Sequence, residues 1–153
     1  MSAVSSGVTI KVDEPAIFMA IQRDVLLLYW RSNPTVDSIS KARQVLAEAA
    51  RGGQKFHQIT LVNKNAGMVP DGSDARRLME AVLKENQKNY AMAVIVIEDQ
   101  VFFAATIRAM LAGLQLVLRP PYPVKIVGSH PDAVAQLGAH GRGAEARALL
   151  ASA

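Results

Sequence analysis

The chain contains no cysteine. That excludes disulfides, thiolate zinc sites and cysteine nucleophiles together, and it suits a reducing compartment. The three histidines, His57, His130 and His140, do not stand at metal-ligand spacing, so no metal site is expected. Aromatic residues make up only 5% of the chain. The 17 lysines and arginines are scattered, so the net charge of +4 lacks the basic stripe and stacking platforms of a nucleic-acid binder. Neither Gly-x-x-x-x-Gly-Lys-Ser/Thr nor Gly-x-Gly-x-x-Gly occurs, which disfavours nucleotide hydrolysis and dinucleotide binding; no cofactor is expected. The opening "MSAVSSGVTIKV" has no basic start followed by an apolar run, so it does not read as a signal peptide. Residues 101–118 come nearest to a membrane span but carry Arg108 and Gln115, which favours a buried helix over stable membrane insertion. A cytoplasmic chain is the expectation.

What remains is globular. The 153 residues, half of them hydrophobic and a fifth charged, suffice for one domain with its own core. Residues 1–7 are small and polar and are expected to be disordered. "VTIKVDE" (8–14) alternates as a half-buried strand does. "AIFMAIQRDVLLLYW" (16–30) places two β-forming runs around Gln22-Arg23-Asp24 and predicts a hairpin. Trp30, beside Tyr29 and Arg31, reads as core or rim, with ligand stacking as the sharper alternative. "RSNPTVD" predicts a loop, and from Ser38 the spacing of Ile39, Ala42, Leu46 and Ala49 predicts a helix ended by Gly52-Gly53. "FHQITLV" predicts a strand, and Ala75, Leu78, Met79 and Val82 mark one face of a second helix over 74–88. "YAMAVIVIE" (90–98) reads as a central strand, 100–118 as a third helix stopped by "RPPYP", and "VKIVG" as a last strand. A short helix enters at Ser129 or His130 with Pro131 in its first turn. Residues 8–140 are expected to form the domain, and 141–153 a tail or short helix. Strands alternating with helices predict an α/β domain: a mixed sheet with an N-terminal hairpin and helices packed on it.

Between the strand at 56–62 and the second helix lies "VNKNAGMVPDGSDARR" (62–77). Over residues 8–138 this order resembles the STAS domain, the fold of bacterial anti-sigma-factor antagonists, and also the STAS/SEC14-like bacterial proteins. In that family an Asp-Ser-Ser-Gly motif precedes the corresponding helix, and one of its serines is phosphorylated by a partner kinase. Here Pro70-Asp71-Gly72-Ser73-Asp74 fills the position: Asp71 and Ser73 match, Gly72 replaces the first motif serine, and Asp74 replaces the glycine. The resemblance implies a non-enzymatic bacterial regulatory module that binds a protein partner, such as a serine kinase or another regulator. Ser73 would then be the phosphoacceptor, with Asn63, Lys64, Asn65, Asp71, Gly72, Asp74, Arg76 and Arg77 as partner-binding residues. A SEC14-like relation implies instead an apolar small-molecule or lipid carrier.

The same loop also has a purely structural reading. Ser73 is placed to cap the second helix with its hydroxyl, Asp71-Gly72 is turn chemistry, and Asp74 suits a helix N-terminus. As a switch, that terminus favours an anion and Arg76 and Arg77 help to neutralise it, whereas Asp74 opposes an added phosphate. As a hydrolase site, Ser73 with His130 and Asp99 follows one known triad order, but no Gly-x-Ser-x-Gly elbow accompanies it, and no enzyme is expected. The third helix has few polar residues. Core packing accounts for that, and so does an interface anchored by Phe102, Phe103, Met110, Leu114 and Leu118 through which the chain would form a homodimer.

Overall fold

The computed structural model describes residues 7–63, 69–98 and 104–153, less the side chains of 104, 106, 107, 110, 114, 117 and 118. The expectation of disorder at 1–7 falls, apart from Gly7, outside these residues. Six strands form one sheet: β1 (Thr9–Asp13), β2 (Ile17–Gln22), β3 (Val25–Trp30), β4 (Phe56–Val62), β5 (Tyr90–Val96) and β6 (Val124–Val127). They lie side by side in chain order. β1, β2 and β3 pair antiparallel, and β3 through β6 pair parallel. The mixed sheet with its N-terminal hairpin therefore forms as expected.

Among the described residues five α-helices accompany the sheet: α1 (Val36–Ala49), α2 (Ser73–Asn86), α3 (Ala104–Leu118), α4 (His130–Gly138) and α5 (Gly143–Ser152). The pleat divides the strand residues between two cores. On one face Ile17, Met19, Leu26, Leu28, Trp30, Phe56 and Tyr90 meet Ile39, Ala42, Val45 and Leu46 of α1 and Ala75 and Val82 of α2. On the other, Phe18, Leu27, Ile59, Leu61, Met92 and Val94 meet Ala133 and Leu137 of α4 and Ala146 and Leu149 of α5. β4 is buried along its whole length because helices cover both its faces, and the burial takes in the polar His57, Gln58 and Thr60 together with its apolar residues. Trp30 is 2% exposed and belongs to the core, so it is not a stacking platform.

One helix start differs from the sequence expectation, and another is decided between its two alternatives. α1 begins at Val36, because Thr35 caps it: the Thr35 hydroxyl accepts from the Ser38 N–H, and the buried Ser38 hydroxyl accepts from the Thr35 N–H. Ser38 is thus the third helical residue, not the first. At α4 the choice falls on Ser129, whose hydroxyl accepts the Asp132 N–H at 3.2 Å.

Candidate interaction site at the carboxyl edge of the sheet

The chain leaves β4 at Asn63, whose N–H donates to the Trp30 carbonyl at 3.0 Å and prolongs the parallel ladder by one rung. Lys64 and Asn65 lie outside the described residues. The loop comes back into register at Asp71, whose N–H donates to the Pro34 carbonyl at 2.8 Å and ties it to the segment that leads into α1. Gly72 follows with φ 95° and ψ 171°. This region is open in practice to glycine alone. The glycine that stands in place of the family's motif serine is therefore demanded by the backbone path.

α2 starts immediately afterwards, and here the sequence reading needs correction. The cap position is Gly72, which has no side chain to offer, and Ser73 is the first helical residue. Gly72 contributes its carbonyl, which accepts the Arg76 N–H at 3.1 Å. The Ser73 hydroxyl is exposed and, among the described residues, has no hydrogen-bond partner. Two residues on, Ala75 is fully buried and pins the first turn to the core. Asp74, Arg76 and Arg77 are exposed around Ser73, and Arg77 Nη2 lies 3.9 Å from Asp74 Oδ1. The result is an unprotected hydroxyl on the positive end of a helix, with two guanidinium groups within one turn.

Ser73 and His130 are not brought together. Ser73 opens α2, which packs on one face of the sheet, and His130 opens α4, which packs on the other. Asp99 lies outside the described residues.

The third helix is described only in part. Phe102 and Phe103 lie outside the described residues, as do the side chains of Met110, Leu114 and Leu118. Leu111 is buried against Val62, Ile95 and Ile97, whereas Leu116 is 77% exposed. Arg108, the cation within this apolar helix, donates to the Ile97 carbonyl at 2.5 Å. A backbone group just past the end of β5 is thus among its partners. Ala112, Gln115, Leu116 and Arg119 line an open groove of about 550 Å³ with Pro120, Tyr122 and Val124. Tyr122 continues a row of rings from Phe56 and Tyr90, with successive centroids 4.9 Å apart.

Sequence reasoning missed a second polar cluster at the opposite edge. The β2–β3 turn holds Arg23 at φ 55° and presents Asp24. The Asp24 carboxylate accepts Arg142 Nη2 at 2.6 Å and Arg142 Nε at 3.1 Å, while Arg142 Nη1 donates to the His140 carbonyl. Beside it His57 is 5% exposed, its ring centroid 5.7 Å from that of His140. His57 Nδ1 lies 4.0 Å from Asp24 Oδ2 and, among the described residues, has no hydrogen-bond partner. Glu145 Oε2 stands 3.6 Å from Arg23 Nη1. The Arg142 hydrogen bonds hold the Asp24 carboxyl below the usual carboxylate range, and burial and the Arg142 charge hold His57 below the usual histidine value. The Asp24–Arg142 pair spans 118 positions. No local pattern announces a contact of that separation.

No protein-family model matches the chain, and no curated protein matches it. Among solved structures it is similar to an uncharacterized protein of the DUF3478 family with a SpoIIAA-like fold, from Shewanella loihica PV-4. The identity is 14% and the TM-score 0.57, over 86% of this chain and 94% of the other. A likeness at that identity carries the architecture and no activity: the chain has a SpoIIAA-like, STAS-like α/β fold.

Proposed function

We propose that the chain is a non-enzymatic regulatory module of a bacterial cytoplasm, which docks a protein partner on the carboxyl edge of its sheet and is switched by phosphorylation of Ser73. The observation that carries this reading is the exposed Ser73 hydroxyl, which caps nothing at the start of α2. A phosphate there meets the backbone N–H groups of the first turn and the charges of Arg76 and Arg77. The Asp71–Pro34 hydrogen bond supports it further, because it fixes the approach to Ser73 and gives a kinase or docking partner a defined surface. Asp74 works against the modified state, so the phosphate makes its strongest contacts on the arginine side of the turn.

Incubation with ATP and a candidate serine kinase, followed by intact-mass measurement, tests this. One added phosphate that maps to Ser73 and is absent from Ser73→Ala supports the switch. An unmodified mass with a kinase active on a control substrate, or phosphate that persists in Ser73→Ala, overturns it.

A second reading has its own observation. The groove beside α3 joins an exposed Leu116 to Tyr122 and Val124 and ends at the cation of Arg119. Such a surface suits an apolar small molecule or lipid with an acidic head. Native mass spectrometry of gently purified protein should then find a bound ligand that Leu116→Glu removes, and a ligand-free mass counts against a carrier role.

A further inference from the structure

We propose that His57 and Arg142 contend for one carboxylate oxygen of Asp24, and that acidification thereby loosens the α4–α5 pair from its face of the sheet. The three groups come from separate parts of the fold. Asp24 sits in the β2–β3 turn, His57 at the start of β4, and Arg142 in the connection between α4 and α5. Arg142 is the hydrogen-bonded tie that holds this connection to the turn, and Glu145 of α5 adds a looser ion pair to Arg23 at 3.6 Å. The rest of the attachment is apolar, through Ala133, Leu137, Ala146 and Leu149.

With His57 neutral, Asp24 Oδ2 belongs to Arg142 at 2.6 Å, and the imidazole Nδ1 waits 4.0 Å away. A proton taken from solvent makes that nitrogen a charged donor 4.0 Å from the same oxygen. It also sets a second cation beside the guanidinium. Only one of the two cations has a way out: the Arg142 side chain is 33% exposed and can turn into water, whereas that of His57 is 6% exposed. The other groups facing this point are His140, on the α4–α5 connection, and Glu145 of α5, which is engaged with Arg23. The sign follows from linkage. The folded state prefers His57 neutral, so its contribution to stability is complete above the ordinary histidine pKa and declines as the pH falls below it. The Asp24 contribution is lost only in the carboxylate range or lower, so the two effects occupy separate windows.

Hydrogen–deuterium exchange of the intact chain at about pH 7.5 and about pH 5.5, on either side of the ordinary histidine pKa and corrected for intrinsic exchange, tests the latch. Peptides covering 130–152 should lose protection severalfold more than those covering α1. His57→Gln should abolish the difference, and His140→Gln should keep it. Uniform loss across the chain, persistence in His57→Gln, or disappearance in His140→Gln overturns the proposal. Should His57→Gln fail to fold, the wild-type chain decides: loss of protection in 130–152 that follows the NMR titration of the His57 ring upholds the latch, and a His57 pKa at or above about 6.5, or a loss that follows another group, overturns it.

Discussion

The backbone N–H of Asp71 donates to the carbonyl of Pro34 at 2.8 Å, and so the approaches to α1 and α2 are one structure. Residues ahead of α1 buttress the turn that presents Ser73. A change at either approach will therefore be felt at both helix starts.

Gly72 is the most sensitive point of that turn. Restoring the family-like serine by Gly72→Ser should cost about 1–3 kcal/mol, since the new side chain has open space but an unfavourable backbone conformation. Urea denaturation measures it. An unchanged midpoint would mean the turn can relax into another path.

Ser73→Ala should leave stability within about 0.5 kcal/mol of wild type, because the hydroxyl caps nothing. A loss nearer 1 kcal/mol, the usual value of an N-cap, would show that the serine caps the helix in solution.

Thr35→Ala removes one half of the capping box of α1 and should cost about 0.5–2 kcal/mol. Ser38→Ala removes the other half. The two losses should not add, because each hydroxyl serves the other's backbone N–H. A double-mutant cycle by thermal denaturation reads the coupling.

Deleting residues 141–153 should destabilise the remainder by at least about 3 kcal/mol, through lost burial of Leu149 and Ala146 and lost pairing of Asp24. Unfolding by urea with an unaltered midpoint would make α5 an ornament of the domain.

Asp24→Asn should weaken the chain at neutral pH by about 1.5–3 kcal/mol, the range for a hydrogen bond to a charged group. It should also remove the part of acid unfolding that sets in at the carboxylate range. The wild-type carboxylate is held below its ordinary pKa, so its stabilisation is full above that value and disappears as pH falls through the folded one. Denaturation curves across the acid range compare the two chains.

Much of this architecture was legible because its strands are extreme. β2, β3 and β5 are almost wholly apolar runs, since their buried positions lie on both faces of the sheet, and β4 reads as a strand despite its buried His57, Gln58 and Thr60. The helix starts were less legible. Serine is a stronger cap signal than glycine, yet at α2 the geometry of Gly72 decided the boundary, and at α1 Thr35 took the role despite the Asn-Pro before it. α5 is alanine-rich and weakly amphipathic, so only its packing on the sheet reveals its place. As for the candidate site, the position of Ser73 at the rim could be read, while its freedom from capping could not. The Asp24–His57–Arg142 cluster was invisible because each member looks ordinary among its neighbours in sequence.

The strand order also governs how copies of this chain can meet. Because the strands lie in chain order, β1 and β6 form the two borders, and each carries backbone groups that a further strand could pair with. The pairing of β1 is broken by an irregularity between Ile10 and Val12, and β6 offers only four residues. Neither border is a regular template for sheet extension. Self-association, where it occurs, is therefore steered toward helical surfaces and away from edge-to-edge polymerisation.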